Sequence, residues 1–223
     1  PIIPNPFHIL IMRYFAPAKY PIGLHWHHFN APILPPTIPP DVHNADSIQE
    51  NKILVYLHFE DMEDIIKLCT PFPKHEFYVY YPIDKPFDKD NIHFRPLSRE
   101  NFQRDLSDSA GVIANSGFSL SSEAIHLGKK LLTKPVARQT EQEANAGALE
   151  ELKLGRVMKE LDIATVEKWL DDPNPEPAGY PEAFSDIAEW IGRGNWDADD
   201  ELVEQLWSRT NHMPTFEPQQ SLF

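Results

Sequence analysis

Cysteine is almost missing from this 223-residue chain; Cys69 stands alone. A single thiol excludes an internal disulfide and fits a reducing, cytoplasmic compartment. No activating context surrounds it, so a small core residue is expected rather than a nucleophile. Long apolar runs are missing too. No stretch of about 18 apolar residues exists, which excludes a membrane-spanning helix. No basic segment leads into an apolar one at the start, which argues against a signal peptide. Positive charge is scarce, with 20 Lys and Arg against 34 Asp and Glu and a net charge of −14. That balance argues against duplex nucleic acid and against anionic lipid as partners. Methionine is missing from the first position, where Pro1 stands. The expectation is a processed or truncated chain.

What is abundant is proline. Residues 1–40 hold ten of them, among them Pro32, Pro35-Pro36 and Pro39-Pro40. Repeated proline removes backbone donors and favours extended, semi-rigid chain. Residues 1–50 therefore read as a linker rather than a free-standing domain. Ile9–Met12 is either a strand or the start of a helix. His25-Trp26-His27-His28-Phe29 precedes the densest prolines. Alternation would put His25 and His27 on one face of a strand. With no Cys or acidic ligand before Asp41, packing of an aromatic segment is favoured over a metal site.

Beyond residue 50 the pattern changes to alternating strands and helices. Lys52–Phe59, Glu76–Tyr81 and Ile92–Phe94 read as strands. Glu60–Leu68 and Asn101–Leu106 read as helices between them. Such alternation predicts a doubly wound parallel α/β sheet over residues 51–160, with ligand at the strands' C-terminal ends. Residues 161–223 read as a helical extension, with helices at 164–170, 184–191 and 199–207 and a loose tail.

The most informative stretch is Gly111–Ala146. A strand at Gly111–Asn115 meets a Ser116-Gly117 turn. A helix follows over Ser119–Leu127, stopped by Gly128. A strand at Leu131–Val136 leads to a helix that Thr140 caps, with Glu143 completing a capping box. Gly117 lets backbone approach a ligand closely. The helix start after it points free N–H groups at the turn, which suits a phosphate. Ser119, Ser121 and Ser122 add hydroxyl donors. Glu123, one turn further in, has the acceptor geometry for the vicinal hydroxyls of a ribose. Lys129, Lys130, Lys134 and Arg138 form a local run of positive charge that suits a diphosphate. Together these features suggest a nucleotide ligand.

Ser116-Gly117, Ser122-Glu123, Gly128, Pro135, Gln142 and Asn145-Ala146 resemble the signature of the GT-B glycosyltransferases. The nearest likeness is to the peptidoglycan GlcNAc transferase (MurG) group and related glycosyltransferases. It covers about residues 91–157. The resemblance implies a Rossmann-like donor half of a two-domain enzyme, with the N-terminal acceptor half largely absent from this chain and residues 1–50 its Pro-rich remnant and the interdomain linker. It places the diphosphate at Ser116, Gly117, Phe118, Ser119, Leu120 and Ser121, and the ribose at Glu123. It places the base near Phe94, Arg95 and Leu97. Arg138, Glu141, Gln142 and Asn145 are placed at the donor sugar.

The loop after the first strand, His58-Phe59-Glu60-Asp61, departs from the family, which has glycines there. Its two acids would repel a phosphate, so His58 is assigned instead to the donor sugar or the acceptor. No catalytic base is assigned. Retaining relatives carry Glu eight residues before the ribose Glu; Asn115 stands there, which favours inversion by analogy.

The resemblance thus implies a UDP-sugar donor, UDP-GlcNAc-like, and a glycan or lipid-linked acceptor held by the absent domain. It implies neither cofactor nor metal, and no transfer by this chain alone. A nucleotide-sugar epimerase or a teichoic-type glycerophosphotransferase shares the fold. A non-catalytic nucleotide-sugar-binding module is the reading from another class.

Overall fold

The computed structural model describes Tyr14, Tyr20, residues 22–43, Ala45, residues 47–194, Trp196 and residues 199–214. Ile9–Met12 and the end of the tail lie outside the described residues. The described elements are β1 (Gly23–Leu24), β2 (Ile33–Leu34), β3 (Gln49–Tyr56), α1 (Met62–Cys69), β4 (Glu76–Tyr80), β5 (Phe87–Lys89) and β6 (Ile92–Arg95). They continue with α2 (Arg99–Asp108), β7 (Ser109–Asn115), α3 (Phe118–His126), β8 (Lys130–Lys134) and α4 (Thr140–Glu151). The last are β9 (Arg156–Val157), α5 (Ile163–Leu170), α6 (Phe184–Arg193) and α7 (Asp199–Ser208).

Seven strands form the main sheet in the order β5-β6-β4-β3-β7-β8-β9. All neighbours are parallel except β5 on β6. Counted along the chain, the six parallel strands run 3-2-1-4-5-6. This order reverses between β3 and β7, so the loops after those two strands leave toward opposite faces and open a crevice between them. β7 is apolar along most of its length and β3 over its second half, Ile53–Tyr56, because each has a neighbour on both edges and helices on both faces.

Side chains alternate across the sheet and feed two cores. On one face Ile53, Val55, Ile113 and Leu132 pack with Ile65 and Leu68 of α1 and Val166 and Trp169 of α5. On the other, Leu54, Val112, Ala114 and Leu131 pack with Leu106 of α2, Ala124 and Ile125 of α3 and Leu149 of α4. Gly111 is needed for one of these contacts, since a Cβ there would stand 2.9 Å from the Trp169 ring. Among the described residues no helix is long and apolar enough to cross a membrane.

The Pro-rich segment is built into the fold. Trp26 is fully buried in the second core, with Ile38 and Val42. Leu34 forms a third, smaller core with Ala183, Trp190, Leu202 and Leu206 of the C-terminal extension. The Trp207 indole donates to the Ile33 carbonyl at 2.7 Å. The Pro-rich segment and the C-terminal helices thus pack on each other.

Several local expectations are corrected. His25 and His27 do not share a strand face: β1 ends at Leu24, and Phe29 and Asn30 turn the chain with φ of 49° and 56°. The turn is held by the Phe29 N–H on His27 Nδ1 and the Asn30 N–H on His28 Nδ1. The capping box at α4 does not form. Gln139 is the N-cap, without a side-chain cap bond, because the helix begins at Thr140 itself. Gly128 does end its helix region, at φ +69°, where a Cβ would also meet Pro177 at 2.8 Å. The short antiparallel β5 carried no apolar run to mark it in sequence; all three of its residues are exposed.

Candidate nucleotide-binding site

At the C-terminal end of β7 the chain makes a tight turn. The Gly117 N–H donates to the Asn115 carbonyl at 2.8 Å, and α3 begins at the next residue. Gly117 is the N-cap, with φ −72°, and no side chain caps the helix. Its importance is space rather than conformation: a Cβ there would meet no atom within 4 Å. The first N–H groups of α3 thus face an open position, and the first turn holds no acid. The helix dipole makes that position favourable for an anion.

Beside the turn lies a cavity of about 270 Å³. Tyr56 and Tyr80 come from the ends of β3 and β4, Leu97 and Ser98 from the loop after β6. Phe102 and Gln103 of α2 and Ser119, Leu120 and Glu123 of α3 complete it. Aromatic rings set edge to face, Tyr56 on Phe102 at 5.4 Å and Tyr80 on Phe102 at 5.0 Å, form one wall. The Tyr80 hydroxyl donates to Asp105 at 2.7 Å, and Asp105 in turn pairs with buried Lys52 at 2.9 Å. Burial and that bond hold the phenol well above its usual pKa. A larger cavity, of about 700 Å³, lies by Lys130, Gly155 and Arg156. It sits at the N-terminal ends of β8 and β9, the wrong end of the sheet for a ligand of this topology.

Two charged residues line the smaller cavity, Arg99 and Glu123, and Glu123 is the buried one, only 8% exposed. It accepts one bond, from the Gln103 amide at 3.0 Å. Burial raises its pKa above the ordinary carboxylate value; the Gln103 bond and the Arg99 charge act against the rise. Arg99 is itself held at the rim by Asp41 of the linker, at 2.9 Å.

The residues expected at the diphosphate are adjacent but not equivalent. Ser119 and Leu120 line the cavity. Ser116 is fully buried and its hydroxyl has no hydrogen-bond partner; the same holds for Ser121. Ser122 is occupied: its hydroxyl accepts from the Trp26 indole at 2.8 Å and donates to the Phe118 carbonyl at 2.7 Å. Phe118 stacks on Trp26 at 5.0 Å.

Of the residues expected near the base, Leu97 is 52% exposed at the cavity rim. Phe94 is buried against Phe87, and the Arg95 guanidinium is engaged by Asp88 at 2.8 Å. The His58 ring lies tilted against Tyr56 at 4.6 Å and Phe59 at 4.0 Å; among the described residues its buried Nδ1 has no partner, and burial lowers its pKa.

The residues expected at the sugar divide in two. Arg138, in the left-handed region at φ 66°, and Glu141 are exposed. Gln142 accepts from the Val136 N–H at 3.0 Å, and Asn145 donates to the Ser116 carbonyl at 3.0 Å. The first bond ties α4 to the loop after β8, and the second ties it to the Ser116-Gly117 turn.

The run of basic residues does not form one patch. β8 separates its members end from end. Lys129 is buried and donates to the Ser107 carbonyl at 2.8 Å; Lys130 donates to the Leu170 carbonyl at 2.7 Å. Lys134, at the C-terminal end of β8, pairs with Glu60 at 2.7 Å.

A sequence model of Glycosyl transferase family 1 matches residues 1–172. The chain belongs to this family. The family agrees with the GT-B resemblance drawn from the turn and its helix. No curated protein sequence matches the chain. Among solved structures it is similar to the glycosyltransferase SnogD from Streptomyces nogalater, at 14% identity and a TM-score of 0.45, over 80% of this chain and 42% of that one. It is similar to the glycotransferase of kitacinnamycin, at 17% and 0.48, over 78% and 49%. It is also similar to CalG4, the calicheamicin glycosyltransferase, at 18% and 0.47, over 81% and 48%. The chain thus spans less than half the length of each of these three enzymes.

Sequence reasoning missed Gln103, Tyr56, Phe102 and the Glu60–Lys134 pair. Nothing in their spacing marks them, because they come from β3, the loop after it, α2 and β8, which are distant in the chain. One signal was readable for Glu60: an acid standing where a phosphate-binding loop was expected calls for a nearby cation.

Proposed function

We propose that this chain is the donor-binding half of an inverting glycosyltransferase acting on a nucleoside diphosphate sugar, UDP-GlcNAc-like. The observation that carries the reading is the junction of the uncapped α3 start at Gly117 with the cavity holding Glu123. The diphosphate takes the helix start. The ribose hydroxyls take the place of the Gln103 amide on Glu123. The base lies in the cavity along the Tyr56 and Phe102 wall.

In this reading the acceptor oxygen attacks the anomeric carbon as the bond from that carbon to the diphosphate breaks. The bonding pair leaves with the diphosphate, whose charge the α3 N–H groups stabilise. The proton of the acceptor goes to a base on the other half of the enzyme. His58, Arg138, Glu141 and the α4 residues Gln142 and Asn145 border the sugar. Phe94, Arg95 and Leu97 border the base, with Leu97 the one of the three that lines the cavity. Residues 51–160 are then the donor domain, and the segments on either side fasten it.

The test is a thermal-shift panel of UDP, TDP, ADP and GDP with UDP-GlcNAc. A diphosphate at about 100 times its dissociation constant adds about 2.7 kcal/mol of stability. UDP is expected to give the largest shift, and the absence of any shift at millimolar concentration refutes the reading.

A further inference from the structure

The loop after β3 presents a physical problem for a diphosphate site. Glu60 and Asp61 stand at the mouth of the crevice, where they oppose an incoming anion. Lys134 answers part of that charge. Its position is fixed by register: Lys134 is opposite Asn115 at the end of β7, and Tyr56 of β3 is opposite Ala114. β3 and β8 flank β7, so they lie about 10 Å apart at the usual strand spacing. The 2.7 Å contact from Lys134 to Glu60 therefore crosses the C-terminal end of β7, two residues before Gly117. The loop is held for it, with the Glu60 N–H on the Leu57 carbonyl at 2.9 Å and the Tyr81 hydroxyl on the Glu60 carbonyl at 3.0 Å. The two side chains are 12% and 16% exposed, largely shielded from solvent yet not sealed off from the crevice. Around them Asn115 Oδ1 and the Ser116 hydroxyl are buried without partners. Of the four basic residues between 129 and 138, Lys134 alone is shielded from solvent at this end of the sheet.

We propose that Lys134 is an exchangeable counter-charge of the donor site: it leaves Glu60 for the diphosphate of the bound nucleotide, and Glu60 is its built-in competitor. This rests on the donor-site reading above. An ammonium on a four-carbon stem with three rotatable donors makes such a swing without moving backbone. A diphosphate carries more charge than one carboxylate, so it wins the cation when bound. When the diphosphate is the leaving group, Glu60 recovers Lys134 and favours release. Glu60 thus sets the affinity for diphosphate, not for the nucleoside.

Calorimetric titrations with UDP, TDP, GDP and ADP, each beside its own nucleoside, test this on the wild-type chain, E60Q, K134M and the double variant. K134M should lose about tenfold or more in diphosphate affinity, the effect of one charge-assisted hydrogen bond, with nucleoside affinity unchanged. E60Q should bind diphosphate more tightly than wild type, and that gain should vanish in the double variant. An unchanged or weaker affinity in E60Q overturns the exchange, and so does a gain that survives K134M. E60Q alone decides the sign should K134M fail to fold. If wild type binds none of the four diphosphates, the donor-site reading itself falls. If it binds one but ignores both substitutions, only the exchange falls.

Discussion

Gln103 and Glu123, twenty residues apart, meet across the cavity through a 3.0 Å amide-to-carboxylate bond. The bond joins α2 to α3 and leaves the carboxylate with only partial compensation for its burial. A raised folded pKa means that ionised Glu123 opposes folding. The cost is fully present above the folded pKa and is relieved as pH falls below the unfolded value of 4.5.

Glu123→Gln is therefore expected to melt higher than wild type at pH 7–8. The difference should shrink toward zero as pH falls through the acid range to about 4.5. Melting curves across pH measure this. The same variant should lose ribonucleotide affinity by about 1.5–3 kcal/mol while affecting a 2′,3′-dideoxy analogue far less. A uniform loss would mean that Glu123 does not hold the ribose.

Gly117→Ala separates ligand space from fold. The backbone there is at φ −72° and a methyl would meet nothing within 4 Å, so stability should hold or rise by about 0.4–1 kcal/mol. Diphosphate affinity should nonetheless fall, because the methyl projects into the space before the α3 N–H groups. Gly111→Ala is the contrast: its methyl meets the Trp169 ring, and a loss of about 1–3 kcal/mol is expected without any direct effect on the site. Denaturant unfolding and nucleotide titration of both variants provide the comparison.

Lys129 has a pKa lowered to about 8 by burial. Its folded form binds protons less readily than the unfolded chain, so stability should rise with pH between about 8 and the unfolded value of 10.5. Lys129→Met should flatten that rise and be more stable than wild type below pH 8. The Ser107 carbonyl that it vacates keeps the Ala45 N–H at 3.2 Å. A wild-type stability curve that stays level from pH 8 to 10 would contradict the assignment.

Gln142→Ala tests what α4 contributes. The side chain holds the Val136 N–H in the loop after β8. If Gln142 also reaches the donor sugar, UDP-sugar affinity should fall while UDP affinity stays nearly intact. Parallel losses for both ligands, measured by calorimetry, would assign it to the loop alone.

Cys69 should resist thiol reagents in the folded chain, since burial pushes its pKa up to about 12. Modification at neutral pH should follow unfolding, which a denaturant series with a chromogenic disulfide reads directly.

Apart from the exposed β5, the order of strands and helices from β3 to α4 was legible in the sequence because apolar runs, glycine stops and helix periodicity act locally. So was the turn at Ser116-Gly117 and the helix that carries Glu123. Those signals depend on backbone geometry within a few residues, and the fold preserved them with shifts of a few positions. Partnership was not legible. Whether Glu123 meets Gln103, whether Ser122 serves the site or Trp26, and which lysine reaches the crevice depend on strand order. A run of like charges from Lys129 to Arg138 looks continuous in sequence, yet a five-residue strand of about 3.3 Å per residue carries its two ends to opposite ends of the sheet. Sequence determined which elements form and where the chain turns. Only the tertiary structure decided which charges neutralise one another, because side-chain pairing depends on distance through space and on the water excluded around each pair.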